Sequence, residues 1–146
     1  VAGELFFDRN VPAKAVTALK VLRADVVGHG DLFEPAEQDE VIAREVARLG
    51  HCLVTRDARM ATRPRQRRVL LDARLHVFVN ADGGNLETWD FFVLLVRNFA
   101  AIERILVDEE PAIFFYTRSS APYLRYFLTE SGEMVSATRT SRRSRA

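Results

Sequence analysis

Five short apolar runs, ELFFD, ADVVGHG, HCLVTRD, LHVFVNAD and AIFFYTRS, follow one another along the chain, and each pair is separated by a segment with helical spacing of its apolar residues. This alternation constrains the fold more than any other feature. A strand followed by a helix cannot return through a tight turn, so the next strand lies parallel to it after a right-handed crossover, with helices covering both faces of the sheet. The expectation is an α/β fold with three layers, α/β/α, and a mainly parallel central sheet.

The chain has 146 residues, 48% of them hydrophobic, enough for one domain with a core of its own. That domain is expected over 1–130. The pattern fades near Ser131, and the Ser, Thr and Arg composition of 131–146 reads as a flexible basic tail. No run approaches the roughly 20 apolar residues of a membrane span. The opening VAGELFF lacks the basic region and long apolar stretch of a signal peptide, so a cytoplasmic location is the default. Cys52 is the sole cysteine; it sits in an apolar run and reads as a small buried hydrophobe.

Punctuation refines the elements. Asn10 can cap a first helix with Pro12 in its first turn, and Val16, Leu19 and Leu22 give that helix an apolar face. The next helix carries Val41, Ile42, Val46 and Leu49 and stops at Gly50. VLLDAR reads as helical, and Gly83 and Gly84 close the fourth strand. A long helix is expected over about 86 to 106, with Trp89, Phe92, Val96 and Phe99 toward the core. Tyr123, Tyr126 and Phe127 fall near the patternless end, available to dock a partner or a symmetry mate.

The acids carry the chemical signal. Asp8 ends the first strand, Asp57 ends the third, and Asp39 opens the helix between. In parallel sheets the carboxyl ends of strands form the binding edge. If strands one and three are neighbours, these carboxylates converge, and a hard divalent ion such as Mg2+ would offset their repulsion while keeping water in its remaining positions. Each has a plainer reading taken alone. Asp39 suits the positive end of its helix, Asp8 suits a turn, and Asp57 can pair with Arg56 or Arg59. Strand alternation puts Thr55 on the side of Asp57, where its hydroxyl could orient a carboxylate or a bound water. Asn10 either caps its helix or turns its amide to a phosphate. No glycine-rich phosphate loop is present, and His29, His51 and His76 are scattered without zinc spacing.

The formal net charge is +1, yet arginine supplies nearly all the positive charge and concentrates in TRDARMATRPRQRR and in the tail TRTSRRSRA. Arg56, Arg59, Arg63, Arg65, Arg67 and Arg68 follow Asp57 closely and suit salt-sensitive contacts to a polyanion backbone.

FFDRNVP followed by HGDLFEPAEQDEVIAREVARLGHCLVTRDARM resembles the PIN-like nucleases, in particular the compact branch that includes VapC-type toxins. The matching positions are Asp8, Asn10 and Pro12, then Asp31 and Phe33, then Asp39, then Thr55, Arg56 and Asp57. The resemblance implies a three-layer α/β/α fold and RNA cleavage with Mg2+ or Mn2+ held by Asp8, Asp39 and Asp57. Thr55, Asn10 and Asp31 or Glu40 would stand behind these ligands. Two departures are visible. Arg9 stands where a glutamate is often found beside the first aspartate, and a fourth acid after the third strand has only Asp72 and Asp82 as candidates by order.

The resulting expectation is an endoribonuclease acting as the toxin of a type II toxin–antitoxin pair, with RNA as substrate, an antitoxin as partner and a homodimer as the family-level assembly. Its rival is a catalytically silent PIN-like module that binds RNA or protein. A phospho-accepting receiver-like domain ranks lower, because neither Lys14 nor Lys20 ends a strand.

Overall fold

The computed structural model describes residues 4–82 and 86–137. The described elements run β1 (Leu5–Phe7), α1 (Ala13–Leu22), β2 (Val26–Gly28), α2 (His29–Leu32), α3 (Asp39–Arg48), β3 (Cys52–Thr55), α4 (Arg59–Thr62), α5 (Pro64–Asp72), β4 (Val77–Asn80), α6 (Thr88–Asp108), β5 (Ile113–Thr117), β6 (Ser120–Leu128) and β7 (Met134–Ser136). They form one sheet in the order β2-β1-β3-β4-β5-β6-β7. The first five strands in that order pair parallel, and β6 and β7 add antiparallel.

Two cores explain the layers. Strand alternation sends Leu5, Phe7, Cys52, Val54, Phe78, Phe114 and Tyr116 to one face, where they pack with α1 and α6. Phe6, Leu53, Val77, Val79, Ile113 and Phe115 go to the other, against α3, α4 and α5. The α/β/α sandwich is therefore present. Gly28 ends β2 because α1 passes close: a Cβ there would stand 3.3 Å from Val16 Cγ1.

Several details differ from the sequence reading. Pro12, not Asn10, precedes α1, with no side-chain cap, because the Asn10 amide is engaged elsewhere. Leu22 and Val41 are exposed, on the outer sides of α1 and α3. On α6 the buried stripe is Phe91, Leu94, Leu95, Phe99, Ile102 and Ile105, while Trp89 is 70% exposed and Val96 also faces out. Tyr126 is buried and Tyr123 meets the Phe115 ring at 6.4 Å, so this aromatic segment is sheet rather than a free docking surface. Residues 134–136 form β7, so order continues past 131; the rest of the tail, 138–146, and Gly83 and Gly84 lie outside the described residues.

The strand order places the functional edge. From β1 the chain winds through α1 to β2 on one side, then crosses back through α3 to β3 on the other side of β1. The order of winding reverses between β1 and β3, and open α/β sheets leave a crevice at such a reversal beyond the carboxyl ends of the strands.

Candidate active site

Asp8 is the residue immediately after β1, and its N–H donates to the carbonyl of Val54 at 3.0 Å, which extends the β1–β3 pairing to the reversal point. Alternation puts Asp8 on the Phe6 side, toward α3, and it is only 5% exposed. Its Oδ1 accepts the Arg9 N–H at 2.9 Å, and its Oδ2 faces the Thr55 hydroxyl at 3.2 Å. Burial pushes its pKa above the usual carboxylate range; the two hydrogen bonds oppose that, and the charge of Asp39 adds to it. Among the described residues Asp8 has no ion pair within 4.0 Å.

Thr55 is the joint of the site. Its Oγ1 accepts from Asn10 Nδ2 at 3.0 Å and from the Asp57 N–H at 3.0 Å. These occupy both lone pairs, so its single proton is left for Asp8, Asn10 Oδ1 or Met60 Sδ, and the carboxylate is the strongest acceptor of the three. Asn10 Oδ1 accepts the Arg56 N–H at 3.0 Å. Asn10 is thus a strut from the exit of β1 to the exit of β3.

Asp39 opens α3, with Arg9 Nη2 at 3.9 Å from Oδ1 and Arg9 Nη1 donating to the carbonyl of Pro35 at 2.7 Å. Arg9, the departure noted in the motif, therefore brings a positive charge to the second acid. Asp57 is engaged differently: its Oδ1 accepts the Arg59 N–H at 3.0 Å and Arg59 Nε at 3.1 Å at the start of α4. No group of three or more His, Cys, Asp or Glu side chains stands together to hold an ion among the described residues. The expected set of Asp8, Asp39 and Asp57 therefore does not stand as one such group among the described residues; Asp57 lies on the turn from β3 into α4, with its N–H on the Thr55 hydroxyl that also faces Asp8.

The remaining candidates have local work. Asp31 Oδ2 accepts the Gly28 N–H and pairs with Lys20, which holds its carboxyl below the usual range. Glu40 pairs with Arg44, Asp72 with Arg68, and Asp82 Oδ2 accepts the Arg118 N–H at 2.7 Å. Burial pushes the Cys52 thiol up to about 12, which leaves it unreactive.

Four of the six clustered arginines are tied to the fold. Arg56 Nη2 donates to the carbonyl of Leu86 at 2.6 Å and its guanidinium lies 4.9 Å from the Phe91 ring. Arg67 sits 4.4 Å from the Tyr126 ring, and Arg68 reaches the carbonyl of Gly132. Arg59 is held at Asp57. Arg63 and Arg65 remain exposed, at the start of α5.

The donor set fits an ion held by few protein ligands. Mg2+ usually binds through one or two carboxylates, with water and substrate phosphate completing six positions. The charge of Asp39 reaches Asp8 and raises its pKa, so these two would be the carboxylates of such an ion, which would offset both the burial of one charge and its repulsion by the other.

A family model described as a PIN like domain matches residues 4–82, more than half of the chain, and spans Asp8, Asn10, Asp31, Asp39, Thr55 and Asp57. No curated protein and no solved structure matches the chain. With the sheet order and the family match in agreement, the chain belongs to the PIN-like domain family.

Proposed function

We propose that the protein is a metal-dependent endoribonuclease whose cation site rests on Asp8 and Asp39. The observation that carries this reading is Asp8 itself, a buried carboxylate without an ion pair among the described residues, at the reversal point of the sheet and under the charge of a second acid. A buried charge in that position lowers stability unless a ligand compensates it. Membership of a family that generally contains nucleases supports the same reading.

A Mg2+ or Mn2+ ion bound there would polarise a phosphodiester oxygen and activate a water near neutral pH. The chain's own residues would then have distinct tasks. Thr55 orients the Asp8 carboxylate, Asn10 fixes the spacing of the two strand exits, and Arg9 holds Asp39 and the loop before α3 in place. Arg63 and Arg65 are free to contact RNA phosphates, and cleavage would leave 5′-phosphate and 3′-hydroxyl ends.

A binding module without catalysis is the second reading. It is favoured by an internal cation, Arg9 beside Asp39, which already offsets an acid the metal would use. Incubation of single-stranded RNA with Mn2+ and wild type, Asp8→Asn or Asp57→Asn separates the two. Cleavage by wild type, lost in Asp8→Asn, supports the nuclease. RNA retention without cleavage in all three supports the module. The further role as the toxin of a type II pair, held by an antitoxin and assembled as a homodimer, rests on the likeness to the VapC-type branch. Growth arrest on expression, relieved by a co-expressed partner protein, is its test.

A further inference from the structure

Helix α6 carries two apolar stripes. One is the buried stripe that faces the sheet; the other is Trp89, Val93, Val96, Ala100 and Val107, which faces solvent on the opposite side. With Glu103 these positions advance in alternating steps of four and three residues, the spacing of a coiled-coil seam, over about 31 Å of helix. Packing against the sheet does not call for apolar residues there. Of the nine large hydrophobic side chains that stand exposed among the described residues, six lie on this layer, four on α6 and Val21 and Leu22 on α1. Helices α3, α4 and α5, on the other side of the sheet, expose only Val41. Arg23, just past α1, pairs with Glu103 at 2.7 Å and lies 4.8 Å from the Phe99 ring. So α1 borders the seam on that flank, and the seam's one carboxylate is paired within its own chain. A concentration of exposed apolar side chains of this kind marks an interface.

The charges beside the seam select its occupant. The flank away from α1 carries Asp90, Arg97 and Arg104, all exposed and each one heptad from the next. Two antiparallel copies of α6, related by a two-fold axis near Asn98, would set Trp89 opposite the partner's Val107, Val93 opposite the partner's Glu103 and Val96 opposite the partner's Ala100. In that register Asp90 meets the partner's Arg104 at one end, and Arg104 meets the partner's Asp90 at the other. Arg97, which falls beside its own copy at the middle, is held to the carbonyl of Arg118 in its own chain at 3.2 Å. A parallel pair would instead lay the charged flank against the partner's apolar flank, so the face complements itself only when the helices run in opposite directions.

We propose that the outer face of α6, widened by Val21 and Leu22 of α1, is the seam of a homodimer built on an antiparallel, two-fold pair of α6 helices. This assigns a surface to the homodimer that was inferred above from likeness alone. The nuclease reading stands apart from it, because Asp8 points to the Phe6 side of the sheet and the seam leaves that side of both copies open.

Trp89 is the sole tryptophan, so its fluorescence reports the seam directly. In a dilution series of the full chain its emission is expected to move to shorter wavelength as concentration rises through the micromolar range, in step with dimer formation by sedimentation equilibrium. Trp89→Glu puts an acid in the first turn of α6, where the helix favours one; by sedimentation it should raise the dimer dissociation constant at least about 100-fold with the far-UV spectrum unchanged. Asp90→Arg and Arg104→Asp should each raise it about tenfold, and the double reversal, which restores opposite charges at both ends, should return it to within about threefold of wild type. A wild type that stays monomeric to about 100 µM, alone or bound to a different protein, overturns the proposal and the homodimer with it. A dimer that persists in Trp89→Glu keeps the homodimer and rejects this seam. A double reversal no tighter than either single variant rejects the antiparallel register.

Discussion

The exit of β1 and β3 and the arginine-rich stretch that follows it are neighbours in the chain but behave as opposites. At the exits, few residues do much: Asp8, Asn10 and Thr55 are tied by hydrogen bonds of 3.0–3.2 Å around one hydroxyl, and Asp8 and Thr55 are buried. Along α4 and α5, many charges do little at the site, because Arg59, Arg67 and Arg68 are spent on Asp57, Tyr126 and Gly132. The difference shows that topology, rather than nearness in sequence, decides which polar residues can share a ligand. The β1–β3 reversal brings residues 8 and 55 together across 47 positions, while the turn after β3 carries Asp57 onto the start of α4.

The comparison breaks first at Asp8. Asp8→Asn is expected to reduce RNA cleavage by at least about 100-fold if the carboxylate supports the ion. The same variant should gain stability at neutral pH. An acid whose pKa is raised on folding favours the native state below its ordinary value of 3.8, and loses that contribution as pH climbs through the raised value. Melting temperatures of wild type and variant should therefore diverge between acid and neutral pH, with Asp8→Asn higher at neutrality. Curves that stay parallel would show that the buried charge is not a liability.

Thr55→Val should have the next largest effect. It keeps the shape and leaves Asp8 Oδ2, Asn10 Nδ2 and the Asp57 N–H without their shared partner, at a cost of about 1–3 kcal/mol in urea unfolding. A cost below ~0.5 kcal/mol, the range of an ordinary surface change, would deny the joint its importance.

The arginines sharpen the contrast at smaller amplitude. Arg67→Ala should destabilise by about 1 kcal/mol through the lost contact with Tyr126, with little effect on RNA affinity. Arg63→Ala and Arg65→Ala should leave unfolding unchanged, weaken RNA binding, and each lower the salt dependence by about one phosphate contact. Interchanged outcomes would mean that the buried side of α5, not its exposed start, meets RNA.

How much of this was legible follows from the same physics. The five parallel strands were readable because each is a short apolar run closed by polar residues, whereas winding rules permit the β1–β3 neighbourhood without requiring it, and the strand order shows it. The phase of α6 was not. WDFFVLLV is apolar at nearly every position, and the buried stripe includes Asn98, whose Nδ2 is satisfied within the helix by the carbonyl of Leu94 at 2.7 Å. Strand β6 was obscured by a one-residue shift between the pairs Phe114 with Leu124 and Ile113 with Tyr126, which breaks the period of two, and β7 by its length of only three residues. At the site, Asp8 and Thr55 could be read from strand ends, whereas the placement of Asp57 on the α4 turn and the fate of each arginine depend on contacts that no spacing encodes. His29 has no sequence signal of its own; its burial beside Phe6 and Phe33 depends on the short α2, which the loop-like composition of DLFEPAEQDE conceals.

Binding of Mn2+, followed by its paramagnetic resonance signal during titration of wild type, Asp8→Asn, Asp39→Asn and Asp57→Asn, tests the cation pair most directly. The account predicts one saturable site that Asp8→Asn and Asp39→Asn each weaken by at least about tenfold, with Asp57→Asn close to wild type. Equal loss in Asp57→Asn, or no saturable site in wild type, would contradict it.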